Sequence, residues 1–377
     1  MSIYADNAAQ KPLTKAVKQT LMDCIIADYC NPSAIYTKAR KTQKAFEEAR
    51  QIVAECIGAD SDEIFFTSGS TEAINWVASL AKDFIIITSN IEHKALIKAF
   101  SKATVATLPV NGIGYIDIDD LRYHCNFYKK ECMVTLGWVN NEIGTIQPIQ
   151  EIADICHQTK AKLFLDATQA IGKVPINVHE IGVDYLCGSF HKLGGLAGSG
   201  FLYIKKGACI DSFIQGGSQE RGMRAGTENL FGALCGATAI KEATKDIDIR
   251  MLRYMVIQNK IVTELCKLPK THLNGILGNR VETNINICFE GIDAESLVLM
   301  LDIDGIEVST GSACNSHNIE PSYVLKAIGL TDEEARASIR ITFEDITDQE
   351  VDYLIDHIKY RVTQLREKSP LWSKIKE

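Results

Sequence analysis

Leu163-Phe164-Leu165-Asp166-Ala167-Thr168-Gln169 reads as a short, continuously apolar strand that ends on a carboxylate in a small polar turn. Downstream, Val183-Asp184-Tyr185-Leu186 repeats the pattern and leads to Ser189-Phe190-His191-Lys192, a lysine in a turn that glycine follows. Strands that are apolar throughout, rather than alternating, belong to a mostly parallel sheet covered on both faces. Such sheets gather their ligand-binding groups at the carboxyl ends of the strands. Asp166 and Lys192 would then stand at one edge of one sheet. A lysine there can hold an aldehyde as a Schiff base, and a carboxylate can keep a pyridine nitrogen protonated. That is the pairing a pyridoxal phosphate (PLP) enzyme requires. Taken alone, a lysine and an aspartate at two loop ends are more often solvated surface charges.

The same grammar extends along the chain. Apolar strands are expected over 63–66, 84–88, 133–136 and 162–165, with helices over 38–56, 72–81 and 149–159. Past residue 245 the pattern changes to a long charged helix over 247–268, strands over 282–289 and 307–310, and helices over 323–328 and 349–367. The reading is α/β, with a large domain over 15–245 and a smaller α+β domain made of 1–14 and 246–377. No repeat, low-complexity tract or flexible linker separates them.

Composition narrows the class. A chain of 377 residues with 46% hydrophobic and 23% charged residues is ordinary globular usage. The net charge of −8 argues against nucleic acid or an anionic membrane surface as partner. The apolar runs are too short for a bilayer span, and Met1-Ser2-Ile3-Tyr4-Ala5-Asp6 lacks a signal-peptide profile, so the expected compartment is cytoplasmic. The 12 cysteines form no Cys-x-x-Cys pair and no cysteine–histidine cluster, so no metal site is expected and most read as small buried hydrophobes.

Each remaining strand end carries something that could serve one ligand. Thr67-Ser68-Gly69-Ser70-Thr71-Glu72 joins a strand to a helix through hydroxyls and a glycine, which makes either a phosphate cradle or a plain N-cap. His93 follows the strand that ends at Ile87-Thr88-Ser89, where it can stack on a flat ring and move protons, or simply be a surface histidine. Asn140-Asn141-Glu142-Ile143-Gly144 offers paired asparagines for a ligand or a turn. Gly216 to Thr227 is a glycine-rich basic loop suited to an anion, with Arg221 and Arg224. Val308 to His317 sets Cys314 among small polar residues, outside any apolar run, with His317 near enough to favour a thiolate.

With these residues in view, the chain resembles the cysteine desulfurases of the NifS/IscS type, within the class V, fold-type I PLP enzymes. The likeness is carried by Tyr4 to Ala9, Asn31-Pro32-Ser33, Thr67 to Glu72, Glu92-His93-Lys94, Asn140 to Gly144, Asp166 to Gln169, Ser189 to Lys192, Arg224 to Thr227, Ser309 to Cys314, Glu320 to Leu325 and Ser338-Ile339-Arg340, in family order over nearly the whole length. The resemblance implies a large domain built on a mostly parallel seven-stranded sheet. It implies that Lys192 holds PLP and moves the α-proton, that Asp166 pairs with the pyridinium, and that Gln169 binds the ring hydroxyl oxygen. His93 would lie over the ring and serve acid–base steps. Ser70, Thr71, Ser189 and His191 would bind the phosphate, with Thr227 supplied by the other subunit of a homodimer. Arg340, assisted by Asn141, would bind the carboxylate of L-cysteine. Cys314 would take the sulfur as a persulfide, releasing alanine, and pass it to an acceptor such as an iron–sulfur scaffold or a tRNA-thiolation enzyme.

The chain departs from the family pattern at Gly195-Leu196-Ala197-Gly198, where a proline and a lysine are usual. Gln10 and Lys11 stand where threonines are common, Tyr36 where a histidine is, and Glu344 where a glycine is. These are expected to touch none of the residues assigned to catalysis. The chain ends soon after Ser369-Pro370-Leu371-Trp372, without the longer tail that docks scaffolds in IscS-like members. Two other functions fit parts of this pattern: a related PLP enzyme such as an aminotransferase or selenocysteine lyase, which would not need Cys314, and a weakened homologue acting as a sulfur-relay scaffold.

Overall fold

The computed structural model describes residues 2–310 and 320–375. After the short β1 (Ile3–Tyr4), seven strands form one sheet: β2 (Ile64–Thr67), β3 (Ile85–Ser89), β4 (Val105–Leu108), β5 (Cys132–Gly137), β6 (Lys162–Asp166), β7 (Tyr185–Ser189) and β8 (Gly200–Ile204). Their order is β2-β8-β7-β6-β5-β3-β4. β8 runs antiparallel to β2 and β7, and every other pairing is parallel. The expected α/β architecture with a mostly parallel seven-stranded sheet is borne out.

The burial pattern explains why the strands were readable. β2, β3, β7 and β8 are buried at every position, because helices cover both faces of the sheet. β4 alternates exposed and buried residues, as an edge strand does, so it lacks the continuous apolar run that marks the other strands. β8 was also missed; it follows so closely on the glycine-rich turn after Lys192 that its apolar run merges with it. The helix Leu230–Thr244 escaped notice because it is rich in Gly and Ala and apolar on most sides. It packs beneath the lysine turn: a Cβ on Gly236 would lie 2.3 Å from the ring of Phe190.

Beyond the large sheet, β9 (Thr271–Leu273) and β10 (Asn284–Phe289) lead to β11 (Ile306–Glu307) and β12 (Ser338–Thr342). β12, β10 and β9 make an antiparallel three-stranded sheet, while β11 pairs with β1. The strand expected over 307–310 is therefore shorter than foreseen, with Ser309 continuing only as a single bridge to Arg340. The helices Ile247–Leu265 and Asp348–Lys368 supply Ile261, Leu265, Leu354 and Ile358 to a core distinct from that of the large sheet. Ile3 and Ala5 belong to this second core.

The N-terminal segment then crosses between the two sheets. Thr342 donates its N–H to Ala5 O at 2.8 Å, and Asn7 and Ala8 donate back to Thr342 O and Oγ1 at 3.1 and 3.0 Å. Farther along, Lys11 donates its N–H to His191 O at 3.0 Å, in the lysine turn itself. One departure from the family pattern thus touches a residue expected to bind phosphate, though none assigned to catalysis.

The large basic loop is tied down by a buried ion pair. Arg50, 2% exposed, donates to Glu220 at 2.7 and 2.9 Å, and Glu220 also accepts the Phe66 N–H at 3.0 Å. Removing one partner of such a pair strands the other charge in a medium that cannot solvate it. Glu220→Ala should therefore lower unfolding free energy by about 3–5 kcal/mol, measured by denaturant titration of native and variant protein. A loss below about 1 kcal/mol, the value of an exposed pair, would refute this role.

Candidate active site

Five strand ends converge on one cavity of about 200 Å³. Its walls include Ser70 and Thr71 after β2, Glu92 and His93 after β3, Asn140 and Asn141 after β5, Asp166, Thr168 and Gln169 after β6, and Ser189, His191 and Lys192 at the end of β7. Ala8 and Ala9 close one side and Arg340 of β12 another. The structure thus gathers Lys192, His93, Ser70, Thr71, Asn141, Asp166, Gln169, Ser189, His191 and Arg340, as expected. Thr227 does not line this cavity and is exposed. Cys314, with His317, lies outside the described residues.

One end of the cavity is a hydroxyl cluster at a helix start. The helix Ser70–Ala78 begins two residues earlier than its sequence suggests, so Ser70 and Thr71 form its first turn. Gly69 precedes it with φ 147°, open to glycine only. A Cβ on Gly200 would lie 2.5 Å from Gly188 O and 2.7 Å from Gly69 Cα, so the backbones close here only because Gly200 has no side chain. Ser70 donates its N–H to Ser189 Oγ at 2.7 Å, and the Ser70 hydroxyl meets those of Thr168 and Ser189 at 2.5 and 2.9 Å. Hydroxyls and first-turn N–H groups at the positive end of a helix suit a phosphate. Thr168 belongs to this cluster and was overlooked, because one hydroxyl in an Asp-Ala-Thr-Gln turn gives no separate signal.

Asp166 stands at the other end, where its Oδ1 accepts the Thr168 N–H at 3.0 Å. Lys192 reaches across and donates from Nζ to Ala8 O at 2.8 Å and Ala9 O at 2.5 Å. Gln169 donates its amide to the same Ala8 carbonyl at 3.0 Å. A phosphate cradle, a carboxylate and a lysine at the edges of one cavity form a donor set that fits PLP.

His93 caps the helix Lys94–Ala99, its Nδ1 accepting the Ala95 N–H at 3.2 Å. That bond puts the proton of the neutral ring on Nε2. The ring sits in the cavity mouth with part of its surface exposed, yet the surrounding protein disfavours its charged form. Burial first, then the charges of Lys192 and Lys94, pull its pKa below the usual histidine value, while Asp166 opposes them. Burial and Lys192 hold His191 lower still, at about 4. Both imidazoles are neutral at neutral pH.

The asparagines divide their roles. Asn140 builds the turn, accepting the N–H groups of Glu142 and Ile143 and donating to Ile91 O. Asn141 lines the cavity, and its backbone carbonyl, not its side chain, accepts from Arg340 at 3.1 Å. Arg340 also pairs with Asp6 at 2.6 Å, a partner the sequence gave no reason to expect. Its Nε is buried with no hydrogen-bond partner among the described residues. The basic loop differs from expectation too. Arg224 holds Glu72 through Nε at 2.9 Å and a second nitrogen at 3.2 Å, while Arg221 lies over the Phe65 ring and donates to Ile64 O. Both arginines are engaged within the fold.

Glu92 was also missed as a site residue. Its carboxyl, 5% exposed, accepts from Ser89 Oγ and from the Gly137 N–H, each at 2.6 Å. Burial pushes its pKa up to about 8, and Glu142, buried beside Ser322, is raised to about 7. A carboxyl whose pKa is raised on folding adds stability that is present below its unfolded value and is lost as pH climbs to its folded one. The contribution of Glu92 should therefore shrink as pH rises from 4.5 to about 8, so the Glu92→Gln profile should lack that downward component. The opposite holds for His191, whose pKa is depressed: its contribution should shrink as pH drops from 6.5 toward 4, and His191→Gln should lack that component. Denaturant titrations across pH check both slopes; a Glu92→Gln profile parallel to native would refute the first.

The chain matches the family described as Aminotransferase class-V over residues 3–354. It is 39% identical to the cysteine desulfurase IscS of Methanosarcina thermophila over 386 aligned residues, covering 99% of this chain and 95% of that protein. It is 40% identical to the cysteine desulfurase IscS of Dictyoglomus turgidum, covering 98% and 96%. Among solved structures it is similar to a NifS-like protein, with TM-score 0.90 and 30% identity over 97% of this chain and all of that one. It is also similar to SspA in complex with cysteine, with TM-score 0.78 and 29% identity over 91% of this chain and 99% of that one. On sequence, fold and cavity alike, the chain belongs to the class-V aminotransferase family, among the cysteine desulfurases of the IscS and NifS-like type.

Proposed function

We propose that this protein removes sulfur from L-cysteine with PLP in the cavity at the strand ends, giving L-alanine and a persulfide on Cys314. The observation that carries this reading is the convergence of Lys192, Asp166, His93 and the Ser70–Thr168–Ser189 hydroxyls on one cavity. The likeness to cysteine desulfurases along the whole chain supports it, as does the related SspA structure with cysteine.

The residues divide the work by their chemistry. Ser70, Thr71, Ser189 and His191 would hold the cofactor phosphate, with Thr227 of a second copy of the chain completing the cradle. Asp166 would keep the ring nitrogen protonated, Gln169 would donate to the ring oxygen, and His93 would cover the ring face. When bound, PLP supplies an aldehyde for a lysine or a substrate amine and a ring that accepts electrons from the substrate's α-carbon. Lys192 would carry the aldehyde and then, as an amine, move the substrate's α-proton. Neutral His93, with its proton on Nε2, would exchange protons at the mouth of the site. Arg340 would take the substrate carboxylate through its planar guanidinium, exchanging or sharing Asp6. The sulfur–carbon bond of cysteine breaks as sulfur joins the Cys314 thiol, so cysteine and thiol become alanine and persulfide with no outside oxidant.

Two further readings rest on the same footing. Division into a unit over 15–245 and another over 1–14 and 246–377 is supported by two main cores, with Val281 packed in the first and a small cluster joining Ile91 and Ile143 to Val324 and Leu325. Activity in the cytoplasm is supported by cysteines that stand as free thiols among the described residues, and a homodimer that hands sulfur to an acceptor protein is what the likeness to cysteine desulfurases suggests. Among the described residues, no helix is long and apolar enough to cross a membrane.

Incubating the PLP-loaded protein with L-cysteine and reductant should release sulfide and alanine in equal amounts. Cys314→Ser should abolish sulfide release while leaving PLP bound; unchanged turnover would point instead to an aminotransferase or selenocysteine lyase. No sulfide from the native protein would refute desulfurase activity, and no yellow absorption after PLP addition would favour a scaffold role. Arg340→Gln should raise KM for cysteine about 10- to 100-fold, the loss of a hydrogen bond to a charged group, read from initial rates.

A further inference from the structure

Behind the cavity wall runs a chain of polar contacts that the chemistry above does not use. Lys11 and Glu344, two of the departures from the family pattern, form an ion pair at 2.5 Å with side chains only 12% and 9% exposed. The pair bridges the crossing N-terminal segment and the end of β12, which are 333 residues apart in sequence. Near it lies Lys173, which donates from Nζ to Gln169 Oε1 at 3.0 Å. Gln169 in turn donates its NH2 to Ala8 O at 3.0 Å, and Ala8 O also accepts from Lys192 at 2.8 Å. Contacts thus lead from Lys173 through Gln169 and Ala8 O to the lysine at the reacting edge, and Glu344 acts on Lys173 through its charge.

The directions of these bonds are set by elementary chemistry. An ammonium has donors and no acceptor, whereas an amide offers oxygen on one side and NH2 on the other. While Lys173 keeps its proton, Gln169 must present Oε1 to it, leaving NH2 for Ala8 and the cavity. A neutral amine could accept as well as donate, and the Ala8 carbonyl alone would then orient the amide. Burial pulls the Lys173 pKa below its ordinary value; Glu344 opposes the fall, and Lys11 and Arg340 add to it. Glu344 is the acidic group that favours the charged form, and Lys11 holds Glu344 in place.

We propose that Lys173 is a positioning residue of this active site: backed by the Lys11–Glu344 ion pair, its ammonium locks the Gln169 amide with NH2 facing the cavity. The proposal rests on the reading that the cavity holds PLP, where Gln169 would meet the ring oxygen as a donor. Lys173 acts only through Gln169 and touches no reacting atom. A role confined to stabilising the fold would lower the melting temperature without altering how the cofactor is held.

The test is a double-mutant cycle read by PLP dissociation and by the pH midpoint of the visible absorption of the loaded protein. Lys173→Met should weaken PLP binding about three- to tenfold, as expected for loss of one hydrogen bond, and should shift the midpoint. Lys173→Arg, which keeps a cationic donor, should restore both. In a Gln169→Ala background, Lys173→Met should change binding less than about twofold, since its target is gone. An equal loss in both backgrounds, or no loss in either, would overturn the proposal. Should Lys173→Met fail to fold, Glu344→Gln replaces it in the cycle, with a smaller shift of the same sign expected and the same outcomes decisive. Failure of the native protein to take up PLP would overturn the cavity's assignment itself, and this proposal with it.

Discussion

The site depends on the parallel pairing of β6 with β7, in which Asp166 lies opposite Cys187. Because the two strands run the same way, both deliver their next residues to one edge. Asp166 stops there, and the chain two residues beyond Cys187 enters Ser189-Phe190-His191-Lys192. An antiparallel arrangement of the same sequences would have placed the carboxylate and the lysine at opposite ends of the sheet. The turn is then fixed by Phe190, fully buried between Ser189 and His191 and packed against Phe66 and Phe201 at centroid distances of 6.4 and 5.7 Å. One apolar side chain in the middle of a polar tetrapeptide sets the direction of its neighbours, and Gly236 beneath it provides the space.

A sheet edge alone is open to water, and here the crossing N-terminal segment closes it. Backbone carbonyls of Ala8 and Ala9 meet Lys192, while Asp6 meets Arg340. The same few residues are pinned to Thr342 on one side and to the lysine turn on the other. The closure has an electrostatic consequence. Burial disfavours the charged forms here: His93 and His191 lose affinity for protons, whereas Glu92 and Glu142 gain it. Ion pairs are built in elsewhere, as between Arg340 and Asp6 and between Lys11 and Glu344.

What the sequence disclosed and what it hid follow from this construction. Lys192, Asp166, His93 and Ser70 were legible because each ends an apolar strand, where polar residues interrupt a strong pattern. Thr168, Glu92 and the Ala8 and Ala9 carbonyls were not, since a hydroxyl, a satisfied carboxyl and a main-chain oxygen have no distinctive spacing. The asparagine turn combines the two roles that the residue type allows: Asn140 spends its side chain on its own turn, while Asn141 lines the cavity. The basic loop misled. Composition suggested an open anion site, whereas Arg221 and Arg224 find an aromatic ring and a glutamate from distant parts of the chain. The large sheet emerged from local patterns; the pairings that assemble the site are long-range.

The departures at Lys11 and Glu344 show how such pairings change the reading of a sequence. Taken singly, each sets a charge at a nearly buried position. An unpaired buried charge costs several kcal/mol, and removing one member of a buried pair typically costs about 3–5 kcal/mol. Together they cancel, and the pair fastens the crossing segment to β12 at a point beside Lys173 and Gln169. Two oddities in sequence are one interaction in space, and their energies cannot be assigned independently. The smaller sheet therefore does more than present Arg340: through Glu344 its last strand also reaches the residues that stand behind the lysine and the glutamine of the cavity.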